Sequence, residues 1–452
     1  MKQTIIAAAA AYVVYLAFGG AAARADGASE MAFDGALAAK QEFNVVTYTA
    51  KLASLGGGAS VEVILYSGTS ANDLQISAMR TVDAAGEVSF AVPYAFVNGT
   101  VYAKMAAGTA ETPVLEVNMV DSSEYVWKAG VTEGEWTDPD NWEKPDNPYL
   151  TYPNSPKCHA NFKNCTEPTV VIISESVRVD VLKDGKDSSD RNAPNNVLDL
   201  TFRRNPKADR VELYTWATWW DGFAGSRVTI DGVDYYCHDG KYMDVAYLKV
   251  TNGASYKTAK ETQLHRSGSV LEVSGGSSWI QDDWTLSICG TDTTFILDDA
   301  TFRSKGELWL ARNGDGGGDA LVVKGRNPVF DCKGVVVCRD GNAPADMKHT
   351  RIVFSIPEGG YAAPPFRQGD FLRGEKLKSD VLVDPKSPVF GGPKISTKLV
   401  DTDGVIFRDW ITQEGQSRPE RFTLRYEGGA EANRPTTLWF DYVRKGFALT
   451  FR

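Results

Sequence analysis

Between Val228 and Phe330 the chain repeats itself, and that repetition limits the folds open to it. Four short apolar phrases recur, each running into a polar or glycine break. They are Val228-Thr229-Ile230-Asp231-Gly232, Leu248-Lys249-Val250-Thr251-Asn252-Gly253, Leu271-Glu272-Val273-Ser274-Gly275-Gly276 and Leu321-Val322-Val323-Lys324-Gly325. A looser copy, Phe295-Ile296-Leu297-Asp298-Asp299-Ala300, lies between the last two. With the last apolar residue as register mark, the phrases fall at Ile230, Val250, Val273, Leu297 and Val323, with gaps of 20, 23, 24 and 26 residues. This drifting period is too irregular for leucine-rich repeats and too short for propeller blades. It suits a coil that closes one circuit and stacks on the next, with loops of variable length. Alternation within each phrase is the period of a strand, and the breaks supply residues that turn sharply with positive φ. The expectation is a right-handed parallel β-helix over residues 121–420, its inward Val, Ile and Leu stacked at about 4.8 Å.

Composition agrees with a folded, all-β chain: 23% charged and 43% hydrophobic residues, 42 glycines, and 11% aromatics without long amphipathic runs. The net charge of −10 argues against a general nucleic-acid binder, which needs clustered Lys and Arg. The best basic cluster, Arg203-Arg204-Asn205-Pro206-Lys207, reads as a solvated turn. Residues 1–25 have the form of an export signal: Lys2, an Ala-rich apolar run from Thr4 to Phe18, and the small-x-small site Ala23-Arg24-Ala25. A membrane span is the alternative for that run. Cleavage removes Lys2 and Arg24 and leaves a mature chain near −12. The expected location is therefore secreted, extracellular or on the cell surface, with no later apolar segment long enough to span.

Residues 26–42 read as a linker. From Phe43 alternation begins, with strands expected at 60–66, 87–92, 99–105 and 112–120 separated by turn residues. This is the spacing of a β-sandwich. Leu65-Tyr66-Ser67-Gly68-Thr69-Ser70, then Gly99-Thr100-Val101-Tyr102-Ala103-Lys104, then Gly108-Thr109-Ala110 resemble fibronectin type III modules of bacterial secreted surface proteins. The resemblance covers residues 43–120 and implies a spacer or binding module. Next, Trp136-Thr137-Asp138-Pro139-Asp140-Asn141-Trp142 resembles the W-x-D-x-x-N-W phrase that precedes the first coil of autotransporter-like β-helix passengers. On the residues alone it is a tryptophan-anchored turn, and both readings make residues 126–142 a cap that seals an open solenoid end. Residues 421–452 contain three strand-like runs, ending in the alternation Phe447, Leu449, Phe451, and are expected to form a C-terminal β cap. One such run cannot build a membrane barrel.

The six cysteines are Cys158, Cys165, Cys237, Cys289, Cys332 and Cys338. An even number in an exported chain points to disulfides, and proximity favours Cys158 with Cys165 and Cys332 with Cys338, leaving Cys237 with Cys289. Buried thiols and a metal site are the alternatives. Cys158-His159 and Cys237-His238 suit a metal, but no C-x-x-C pair is present.

Three constellations could carry chemistry. Asp282, Asp283, Asp298 and Asp299 are paired carboxylates on neighbouring coils, suited to glycoside hydrolysis or calcium, or else to solvated turns. Asn313-Gly314-Asp315-Gly316-Gly317-Gly318-Asp319-Ala320-Leu321 resembles one copy of the calcium-binding nonapeptide of RTX proteins, which implies Asp315 and Asp319 as ligands. Such sites take ligands from successive copies, so a flexible loop is the competing reading and calcium the one cofactor candidate. Trp216, Trp219 and Trp220 could stack on sugar rings or pack at a coil corner; alternation puts Trp216 and Trp220 on one face. The four histidines carry no metal spacing, and no nucleophile elbow, zinc-protease motif or P-loop occurs. The expected function is a bacterial, non-catalytic surface or adhesion protein whose partner is an extracellular or envelope polysaccharide or a surface protein. A polysaccharide lyase or glycoside hydrolase on the same solenoid is the alternative.

Overall fold

The computed structural model describes residues 30–42, 45–93, 99–119, 123–143, 152–184, 197–218, 223–239, 242–282, 285–312, 317–337, 349–367, 370–374, 379–392, 394–401, 411–413, 421–428 and 437–444. The chain is nearly all β and divides into two units. The first is built largely from residues 48–90 and 102–116. One of its sheets orders the strands Ala32–Glu42, Val45–Ser54 and Gly86–Pro93. The other orders Asp73–Val82, Val61–Ser70, Gly99–Ala107 and Ala110–Glu111, with Leu115–Met119 also on Gly99–Ala107. Alternation gives each sheet an apolar face: Val46, Tyr48, Ala50 and Leu52 are buried in one, and Val61, Val63, Leu65, Ala103 and Met105 in the other. One sequence expectation fails here. Ala32–Glu42 falls in the stretch read as linker, yet it is a strand with Leu37 buried, because small side chains hid its alternation.

The second unit carries three sheets whose strands are parallel except for the antiparallel pair Ser123–Trp127 and Trp142–Glu143, an arrangement compatible with a β-helix. A first sheet of 11 strands and a second of 10 are followed by a third of six. From Arg227–Asp231 to Gly334–Val337 each circuit visits them in turn. Tyr247–Thr251 lies in the first sheet, Ser255–Thr258 in the second and Thr262–Leu264 in the third, before Val270–Ser274 restarts the cycle. The five register marks of the sequence are direct neighbours: Ile230 opposes Val250, Val250 opposes Val273, Val273 opposes Leu297 and Leu297 opposes Val323. The row continues to Phe202 on one side and to Phe354 and Val383 on the other, over gaps of 28, 31 and 29 residues. The period fades at both ends because the loops lengthen, while the row itself is unbroken. All these side chains are buried, each contributing about 1.5–3 kcal/mol.

The corner between first and second sheets explains the breaks. Asn252, Gly253, Gly275, Gly276, Asp299 and Gly325 all have positive φ, and the corners bond to one another, as Gly253 N–H does to the Gly275 carbonyl at 3.0 Å. Gly325 has no substitute, since a Cβ there would lie 2.4 Å from the Asp299 carboxyl carbon. Inside the second sheet runs an aromatic row, Tyr235, Tyr256, Trp279, Phe302 and Phe330. Tyr256 and Trp279 stack at 4.1 Å and 9°.

Trp127, Trp136 and Trp142 are fully buried with Phe162 at the first strands of this sheet, Trp127 and Trp136 meeting Trp142 edge-on at 4.9 and 5.1 Å. Their indole N–H groups donate to the carbonyls of Val131, Pro153 and Trp136. At the other end Ile395–Asp401, Thr437–Tyr442 and Phe422–Glu427 form an antiparallel sheet. The run Phe447, Leu449, Phe451 lies outside the described residues.

The cysteines correct the disulfide expectation. Cys158, Cys165, Cys237, Cys289 and Cys332 are buried thiols in no disulfide, and Cys338 lies outside the described residues. Burial pushes the Cys158 thiol up to about 12 and those of Cys165 and Cys332 to about 11. They act as small core residues.

Candidate functional site

Because the period of a strand is two, every inward row of the second sheet has an outward row beside it. Next to the buried row Leu213, Tyr235, Tyr256, Trp279, Phe302 and Phe330 stands the outward row Tyr214, Tyr236, Lys257, Ile280, Arg303 and Asp331. Five inter-strand steps of about 4.8 Å make it about 24 Å long. Its first half is aromatic. The Arg178 guanidinium lies 3.9 Å over the Tyr214 ring, and Tyr214 meets Tyr236 at 4.9 Å. Trp216, two residues on, stacks on His238 at 4.1 Å and 23° and is 47% exposed. The Tyr236 hydroxyl and His238 Nδ1 are 3.4 Å apart. Burial, then the neighbouring Tyr214, raises the Tyr236 phenol.

The second half is charged. Lys257 lies 5.5 Å over the Tyr236 ring and pairs with Asp282 at 3.0 Å. Its ammonium is held above the ordinary value first by that hydrogen bond. Beyond it, Ile280, Asp282, Arg303, Lys305, Asp331 and Lys333 line a cleft of about 490 Å³. Arg303 and Asp331, neighbours on adjacent strands, pair at 3.2 Å.

The structure separates the residues that the sequence had grouped. Asp282 lines this cleft, and Asp283 lies outside the described residues. Asp298 and Asp299 sit at the corner after a first-sheet strand. Burial raises the Asp298 carboxyl. Asp299 holds a turn, its Oδ1 accepting the backbone N–H groups of Arg326 at 2.5 Å and Asn327 at 2.8 Å. Of the described acids, Asp282 thus stands at a different sheet from Asp298 and Asp299.

The calcium reading loses Asp319. That residue is fully buried, and its oxygens accept the backbone N–H groups of Thr293 and Ala311, each at 3.0 Å. It ties two loops together and faces no solvent. Asp315 lies outside the described residues, and among those described no three His, Cys, Asp or Glu come together as a metal site. Trp216 is exposed as a sugar platform requires, whereas Trp219 and Trp220 lie outside the described residues.

No protein-family model matches the chain, and neither does any curated protein. A solved structure titled "Structure of PhoD" is similar at 13% identity and a TM-score of 0.17, over 31% of this chain and 27% of that one. The chain thus spans about a quarter of that protein's length. A likeness of this size carries no argument about fold or activity. The outward ladder itself was not legible in the sequence, since Tyr214, Tyr236 and His238 become neighbours only once the coil register is known. Trp216 was the single member with a visible signal.

Proposed function

We propose that the protein is an exported, surface-displayed binding scaffold without catalytic chemistry, and that the outward ladder of its second sheet contacts glycans. The observation that carries this reading is Trp216, 47% exposed and stacked on His238 at 4.1 Å beside the Tyr214–Tyr236 pair. Indole and phenol faces held open to solvent match the apolar faces of sugar rings, and a row on adjacent strands suits a chain of sugars better than one.

In this reading the three sheets are a right-handed parallel β-helix. The tryptophan cluster of residues 126–142 caps its leading end, and the antiparallel strands from Ile395 to Tyr442 cap the other. Residues 43–120 are a fibronectin type III-like sandwich, which the two single-faced sheets of the first unit support. Residues 1–25 are the export signal of a bacterial secreted protein. The lyase or hydrolase alternative is less well supported, since both cleft carboxylates, Asp282 and Asp331, answer a cation across an ion pair.

The test is a glycan array with the purified chain and its Trp216→Ala variant, run beside a polysaccharide depolymerisation panel. Binding that Trp216→Ala removes supports the platform. Turnover of any polymer refutes the non-catalytic part, and binding that is indifferent to Trp216 refutes the ladder.

A further inference from the structure

We infer that the ladder selects an acidic polysaccharide, whose uronate carboxylates seat in the cleft formed by Arg303, Lys305 and Lys333; this rests on the glycan reading above. The chain as a whole is anionic, at −10. Against that background the cleft carries three cations, Arg303, Lys305 and Lys333, and two carboxylates, Asp282 and Asp331. Lys257, beside the cleft, pairs with Asp282, so among the described residues of the cleft and Lys257 four cations stand with two acids. This local excess has the opposite sign to the molecule, and clefts of one sign concentrate ligands of the other. Lys305 and Lys333 are exposed, and the Arg303 side chain is 60% exposed, so a ligand carboxylate reaches them without unfolding anything.

The order of the row narrows the ligand further. Aromatic faces occupy the Tyr214 and Tyr236 steps, and cations follow at Lys257 and Arg303, all on one outward line. A ligand along that line offers apolar ring faces first and anionic groups one to three strands later. Single-stranded nucleic acid also joins stackable rings to anions. Its phosphodiester backbone, however, brings no hydroxyl donors to Asp282 and Asp331, the two carboxylates interleaved with these cations, and its phosphates are repelled by them. A uronate polymer presents ring hydroxyls beside each carboxylate, and those hydroxyls donate to the oxygens of Asp282 and Asp331 while the carboxylates meet the cations.

The experiment is calorimetric titration of the full chain with polygalacturonate, its fully methyl-esterified form and poly(dT), at two salt concentrations. The expected result is that polygalacturonate binds at least about tenfold more tightly than the neutral ester, and that the difference shrinks with added salt. In Lys305→Ala/Lys333→Ala, which changes only exposed side chains, affinity for polygalacturonate falls about tenfold while the ester is bound as before. Equal affinity for acid and ester overturns the inference and leaves the glycan reading standing. Absence of binding to any polysaccharide overturns the glycan reading, and this inference with it. Tighter binding to poly(dT) than to polygalacturonate overturns the choice of ligand.

Discussion

Asp319 makes the stability of this fold depend on pH in an unusual direction. The side chain is fully buried and accepts two backbone N–H bonds. Those bonds favour the carboxylate, but loss of hydration outweighs them and pushes its pKa up to about 7 from an ordinary 3.8. The folded state therefore binds this proton more tightly than the unfolded chain does. The stability it confers is fully present below about pH 4 and is lost as pH rises through about 7. One pKa unit is worth about 1.4 kcal/mol, so between pH 5 and pH 8 the loss is on the order of 3 kcal/mol. Glu124, Glu272 and Asp441, whose pKa values are held below the ordinary carboxylate range, lose their stabilisation only at lower pH, outside this window. Urea unfolding followed by tryptophan fluorescence at pH 5, 6, 7 and 8 measures the slope, and subtracting the same series for Asp319→Asn removes every other titration. Asn keeps one acceptor, so the variant is less stable at pH 5 by about 1–3 kcal/mol. It has no carboxyl to ionise, and the gap between the two proteins should close as pH rises. Parallel curves for the two proteins would refute the argument.

Other perturbations separate core from display. Trp279→Ala empties the stack on Tyr256 and should cost about 3–5 kcal/mol by chemical denaturation; a loss under 1 kcal/mol would contradict full burial. Gly325→Ala places a Cβ 2.4 Å from the Asp299 carboxyl carbon at a φ of 77°, and should lower the melting temperature where Gly253→Ala, with open space around it, costs less. Trp216→Ala should leave the melting temperature within about a degree, since its exposed ring lies outside the core, while abolishing retention on a glycan column. Cys158, Cys165 and Cys332, buried and with raised thiol pKa values, should react with a thiol reagent only after denaturation, and added reductant should not shift the melting temperature.

The first sheet was legible because two physical demands coincide in it. Its inward positions must be large and apolar, and its corners need residues that accept positive φ, so Val250 followed by Asn252-Gly253 marks both. The third sheet has neither mark. Its strands are three or four residues long in the middle circuits, too short for alternation, and Gln263, Ser287 and Trp309 are buried along with their apolar neighbours. The acidic and glycine-rich candidates misled for a related reason. At a coil corner an Asp is valued for bonding backbone N–H groups, as Asp299 and Asp319 do, and composition cannot distinguish that from a ligand.

The ladder was hidden for a deeper reason, which also explains how such a chain can acquire a binding surface. The spacings between register marks vary from 20 to 31 residues, but the marks stay in one row, so length differences are absorbed where they do not disturb pairing. Each outward residue is then positioned by inward neighbours. Tyr214 stands between Leu213 and Thr215, both wholly buried, and Tyr236 stands between Tyr235 and Cys237, also wholly buried. The 4.9 Å separation of the two outer rings follows from strand spacing and from the packing of residues that never touch a ligand. The outward row is thus free to change its chemistry, from tyrosine to lysine to arginine along one line, at little cost to the fold. Under the proposed glycan reading, specificity would reside in which side chains the register aligns, with local sequence motifs carrying little of it.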